Sequence, residues 1–130
     1  MLTQTQMGSG KTVLVVEDDN GARGTAADML RRFGYDVIVA CDGPEAEAIC
    51  ESDRCIDLLF TDIVMPSGTN GIDLANKLHR VRPGLKVLLT VGSSDERFSM
   101  WNIIATRLPL LRKPYRMSGL SERLRTVLDG

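Results

Sequence analysis

At 130 residues, 43% apolar and 25% charged, with a formal net charge of −1, the chain fits one soluble globular domain with a core of its own; it is neither a disordered nor a fibrous protein, and nothing in its charge points to direct nucleic-acid binding. Its longest apolar runs are strand-sized, short of the ~20 residues of a membrane span, and the N-terminus lacks the charged-then-apolar plan of a signal peptide, so a cytoplasmic protein without a membrane span is expected. Cys41, Cys50 and Cys55 are odd in number and form no Cys-x-x-Cys pair, which points to reduced thiols rather than disulfides or zinc.

Residues 1–10 are small, polar and aperiodic, a flexible lead-in to a domain spanning 11–130. Thr12 to Val16 reads as a strand ending in Glu17-Asp18-Asp19. Ala22, Ala26, Met29, Leu30 and Phe33 then recur at helical spacing, with Gly34 as the stop. Tyr35 to Ala40 is a second strand. Gly43-Pro44 opens a second helix that turns Ala46, Ile49 and Cys50 inward, proline being tolerated in a first turn. The run from Ile56 ends as a third strand at Asp62. Ile72, Ala75 and Leu78 mark one face of a helix from Gly71 to Val81, broken by Arg82-Pro83-Gly84 before a fourth strand, Leu85 to Val91. Ser93 and Glu96 have capping-box spacing and lead into a fourth helix bearing Phe98, Trp101, Ile104 and Ala105. Leu108 to Arg112 is a fifth strand before Lys113-Pro114, and Ser118 caps a fifth helix with Leu120, Leu124, Val127 and Leu128 inward.

Five strands alternating with helices, the strands almost wholly apolar, predict a doubly wound α/β fold with a parallel sheet covered on both faces. All strand C-termini then share one edge, where such sheets bind ligands. Glu17, Asp18, Asp62 and Lys113 therefore converge although they are far apart in sequence. Carboxylates held close raise one another's pKa unless a cation neutralises them. Oxygen donors without His or Cys favour a hard ion such as Mg²⁺, which binds through one or two carboxylates plus a phosphate. With Lys113 as a second positive charge, the arrangement suits stabilising a phosphoryl group in transfer to Asp62.

Val16-Glu17-Asp18-Asp19, Thr61-Asp62-x-x-Met65-Pro66 with Gly71 beyond, and Lys113-Pro114-Tyr115, in this order at the ends of strands one, three and five, resemble the response-regulator receiver domain of two-component signalling. The stretches Pro66 to Gly71 and Leu89-Thr90-Val91-Gly92 are further similar to receivers of hybrid sensor histidine kinases. The resemblance covers nearly the whole chain and implies a flavodoxin-like (βα)5 fold with strand order 2-1-3-4-5. It implies that Asp62 accepts a phosphoryl group from a histidine kinase or histidine phosphotransfer domain within a phosphorelay. Asp18 and Asp62 would bind Mg²⁺ with the carbonyl of Val64, Glu17 would hold it through water, and Lys113 would contact the phosphoryl oxygens. The domain would catalyse its own phosphorylation and dephosphorylation and turn over no external substrate.

Two positions depart from the family pattern. Where its members carry a switch hydroxyl at the end of strand four this chain has Val91, and where they carry an aromatic residue three before the lysine it has Leu110. Thr90 is adjacent, but alternation along a strand is expected to aim it away. The alternative reading is thus an atypical receiver acting as a phosphorylation-independent interaction module. Helix four is apolar around much of its circumference, which reads equally as a deeply covered helix or as a face for self-association together with strand five and helix five. Asp19 reads as a helix cap and His79 as an ordinary surface histidine. Gly8-Ser9-Gly10-Lys11-Thr12 is not a P-loop, since its first glycine would fall on Thr5. A haloacid-dehalogenase-like phosphatase would need a second aspartate at Val64.

Overall fold

A computed structural model of the chain describes residues 10–52, 55–65, 70–92 and 107–129. Five parallel strands, β1 (Thr12–Val16), β2 (Asp36–Ala40), β3 (Leu58–Asp62), β4 (Lys86–Gly92) and β5 (Leu110–Lys113), form one sheet in the order β2-β1-β3-β4-β5. Four helices are described: α1 (Asn20–Arg32), α2 (Gly43–Glu51), α3 (Gly71–Val81) and α4 (Met117–Asp129). The helix expected from Ser93, with Phe98, Trp101, Ile104 and Ala105, lies outside the described residues, as do positions 1–9 of the lead-in. Among the described residues no helix is long and apolar enough to cross a membrane.

The period-two alternation of the strands sorts their side chains into two cores. Leu14, Val16, Leu59, Ile63, Leu89 and Val91 face α2 and α3, where they meet Ala46, Cys50, Leu74, Ala75 and Leu78. Val13, Val15, Leu58, Phe60, Leu88 and Leu111 face α1 and α4, against Ala26, Leu30, Leu120, Leu124 and Val127. The same alternation puts Glu17, one step past β1, and Asp62 and Lys113, the last residues of β3 and β5, on the second face, above Val15, Phe60 and Leu111.

Short polar side chains start the helices by occupying backbone N–H groups that have no intrahelical partner. Asp19 accepts from the Ala22 N–H at 2.7 Å, Asp42 from the Glu45 N–H at 2.9 Å and Asn70 from the Asp73 N–H at 2.8 Å. The cap of Asp19 is the one expected; those of Asp42 and Asn70 stand one residue before the helix starts read from glycine. Ser118 does not cap the last helix, which begins at Met117 and takes the serine into its first turn. In α3 the buried stripe includes Leu74, with Ile72 only half-buried, because Gly71, Leu74, Ala75 and Leu78 follow the 3.6-residue period more closely than Ile72 does. Cys50 is buried while Cys41 and Cys55 are exposed, and all three are free thiols.

Candidate functional site

Three loops leave the same edge of the sheet beside β1, β3 and β5, and their side chains meet there. Glu17, Asp18 and Asp62 each bring a carboxylate oxygen within 4.8 Å of the others. The Lys113 Nζ donates to Glu17 Oε1 at 2.8 Å and to Asp62 Oδ2 at 3.2 Å, bridging strands β1 and β3 from β5. Glu17 Oε2 also accepts the Asp19 N–H at 3.1 Å, so its carboxylate is held at both oxygens. Asp62 and Glu17 are largely enclosed, with side chains 12% and 9% exposed, whereas Asp18 faces solvent.

Enclosure governs the electrostatics. Burial pushes the Asp62 carboxyl above its ordinary value, against the opposing charge and hydrogen bond of Lys113, and the Asp18 charge adds to the upward push. Glu17 is likewise raised by burial, with Lys113 and the Asp19 N–H pulling the other way. Burial works to lower the Lys113 ammonium, but the hydrogen bond to Glu17 and the charges of Asp62 and Glu17 outweigh it and the lysine is raised. One ammonium therefore does not relieve two buried carboxylates and a third beside them. An all-oxygen donor set with surplus negative charge fits a hard divalent cation.

The surrounding backbone is shaped to present Asp62. Gly71 packs so closely under the end of β3 that a Cβ there would stand 2.3 Å from the Asp62 carbonyl oxygen, and its N–H donates to the Ile63 carbonyl at 2.7 Å. Val64, two residues past Asp62, pairs with Asn70, the residue before α3, in an isolated antiparallel bridge. Across the site, the Lys113-Pro114 peptide is cis and Tyr115 packs edge-on against Phe60, ring centres 6.1 Å apart. A cavity of about 300 Å³ runs from this edge down between the sheet and α1; Val15, Phe60, Ala26 and Met29 form its apolar body, with Glu17, Asp62, Thr90 and Lys113 above.

Two features were not foreseen. Arg23 on α1 donates to the Glu17 carbonyl at 2.8 Å and the Asp18 carbonyl at 3.4 Å, and also to the Asn20 side chain, so it clasps the loop that presents both acids. An arginine on an exposed first turn looks solvated in sequence; only its six-residue offset from Glu17, about what its long side chain spans, hinted otherwise. Thr90, expected to aim away from the site, is the in-register partner of Asp62 and lines the cavity with it, since parallel neighbours in register share a face and no bulge intervenes. Val91 takes the opposite face among Ile63 and Leu89, with Leu110 packed against the same core.

The sequence profile described as response regulator receiver domain matches residues 13–125. The chain belongs to that family. The receiver is 28% identical over 126 residues to the sensor kinase CckA of Brucella abortus, covering 96% of this chain and 13% of that protein. It is 33% identical over 117 residues to the transcriptional regulatory protein CpxR of Escherichia coli, covering 89% of this chain and 48% of that one. Among solved structures, the receiver domain of the hybrid histidine kinase CckA superposes with a TM-score of 0.73 at 32% identity, covering 90% of this chain and 98% of that one. The chain spans about half the length or less of the curated relatives it matches. A receiver places this protein in two-component signalling, with an acidic pocket of Glu17, Asp18 and Asp62 at its sheet edge.

Proposed function

We propose that this receiver takes a phosphoryl group from a histidine kinase or phosphotransfer domain onto Asp62, in a Mg²⁺-dependent reaction within a phosphorelay. The observation that carries the reading is the Lys113 ammonium bridging Glu17 and Asp62 beside a third carboxylate, a charge arrangement short of one cation. Asp18, Asp62 and the Val64 carbonyl would hold the ion, with Glu17 through water. Bound there, Mg²⁺ would supply positive charge against the negative charge of the phosphoryl group.

The remaining work belongs to the chain. An Asp62 carboxylate oxygen attacks phosphorus in line with the donor's P–N bond, the new P–O bond forms, and the bonding pair of the broken bond returns to the imidazole nitrogen. Lys113, released from Glu17, donates to a phosphoryl oxygen while keeping its place beside Asp62. The low exposure of Asp62 limits water at the carboxyl carbon and strengthens these charge contacts. Arg23 keeps the two acids of the β1–α1 loop in place.

Incubation with Mg²⁺ and acetyl phosphate, followed by intact mass measurement, tests the reading: one added phosphoryl group is expected in the wild type and none in Asp62→Asn or without divalent metal. A wild type that takes no label from acetyl phosphate or from a kinase would instead support the constitutive interaction module, which the buried Val91 and the aliphatic Leu110 favour.

A further inference from the structure

The two last apolar-strand positions of β4 divide the sheet between them: Val91 enters the core under α2 and α3, and Thr90 faces the cavity beside the acceptor. In register, Thr90 sits next to Asp62 on one side and next to Leu111 on the other, and Lys113 follows two residues along β5 on the same face. Its side chain therefore stands between the strand that carries the acceptor and the strand that carries the lysine. Thr90 is only 4% exposed. Among the described residues its hydroxyl has no hydrogen-bond partner, yet no side-chain oxygen or nitrogen that is sealed from solvent lacks one, so the hydroxyl opens into the cavity shared with Asp62 and Lys113.

A hydroxyl in such a place is costly unless it finds a partner, and valine would fill the same volume without that cost. The ammonium supplies what is missing. It has three donors, of which two go to Glu17 and Asp62. We propose that Thr90 is a positioning residue whose hydroxyl accepts the third N–H of Lys113 and holds the ammonium against Asp62 when its contact with Glu17 is given up. This rests on the phospho-acceptor reading for its consequence, though not for the contact itself. Any pull on Lys113 from a phosphoryl group then reaches β4 through Thr90, on the α1 and α4 side of the sheet, and not through Val91 and Leu110.

Two measurements test it on the full chain. In metal-free Glu17→Gln protein, where the lysine's contact with the Glu17 carboxylate is given up, the ¹⁵N ammonium signal of Lys113, identified by its loss in Lys113→Arg, is expected to be sharp with Thr90 in place or with Thr90→Ser and to broaden away with Thr90→Val. With Mg²⁺ and acetyl phosphate, Thr90→Val is expected to label roughly tenfold more slowly, the scale of one hydrogen bond to a charged group, with Thr90→Ser near the wild-type rate. Melting curves check that Thr90→Val is folded, and Thr90→Ala takes its place if it is not. An intact ammonium signal in the folded Thr90→Val or Thr90→Ala protein on that Glu17→Gln background, or a Thr90→Ser protein as slow as either, overturns the proposal. Failure of the wild type to take label at all overturns the phospho-acceptor reading and leaves the ammonium signal to decide the contact.

Discussion

The two faces of the sheet are built from the same strands and yet are opposites. Under α2 and α3, sixteen buried residues form one continuous apolar cluster in which the only sulfur is Cys50 plus Met65, and no charge enters. Under α1 and α4 the core is apolar only toward the N-terminal ends of the strands; toward the other end it opens into the cavity and finishes in Glu17, Asp62 and Lys113. The difference lies in α1, whose cavity-lining residues other than Met29, namely Ala22, Thr25 and Ala26, are small. Small side chains leave room above the sheet for charges to move. The α2–α3 face thus holds the fold, and the α1 face gives up packing to hold a site.

Truncation on the closed face tests this most severely. Leu59 is fully buried in the central strand β3, so Leu59→Ala is expected to destabilise by about 2–5 kcal/mol, the range for a large-to-small change at a site that cannot collapse. Urea unfolding measures it. A cost below about 1 kcal/mol would mean that the closed face is loosely packed and that the contrast fails.

Adding volume gives the sharper comparison. Ala75 and Ala26 are both buried alanines on helices that cover the sheet, one in the closed core and one lining the cavity. Ala75→Leu is expected to cost about 1–3 kcal/mol through overpacking, whereas Ala26→Leu has space to enter and should cost less than about 1 kcal/mol or stabilise. Equal penalties for the two, read from paired urea titrations, would show that the cavity is closed in solution.

Most of this architecture was legible because it follows from periodicity. Alternating strands, the Gly34 stop and the Pro83-Gly84 break gave the five strands and the four helices among the described residues, and topology then brought Glu17, Asp62 and Lys113 to one edge. The parts that were not legible depend on register and reach. Which of Thr90 and Val91 shares a face with Asp62 turns on a one-residue offset between β3 and β4 that no single strand encodes. Arg23 finds the carbonyls of Glu17 and Asp18 only because the β1–α1 loop folds back over the first turn of its helix. The size of the cavity is likewise a sum over α1, the sheet and Tyr115, each of which reads as an ordinary core element alone.

The smallest expected change bears most directly on what the open face gives up. Burial raises the Asp62 carboxyl above its ordinary 3.8, so the folded protein binds that proton more tightly than the unfolded chain does. Stability contributed by this group therefore increases as pH falls from the raised folded value toward 3.8, and above the folded value the buried charge is a net cost. Asp62→Asn removes the charge and keeps the shape. In metal-free protein at neutral pH it is expected to be more stable than the wild type by ~1 kcal/mol, a melting shift of about 3–5 °C, because the penalty of enclosing the carboxylate exceeds what Lys113 returns. Its advantage should shrink on acidification, as the wild type takes up the proton, and also on adding Mg²⁺ at neutral pH. Glu17, raised mainly by burial, is present in both proteins, but the Asp62 charge adds to its upward push, so part of the advantage of Asp62→Asn comes from relieving Glu17. A variant less stable than the wild type at neutral pH would mean that the Lys113 pair outweighs desolvation, and that the acidic edge stabilises the fold instead of being carried by the closed face opposite.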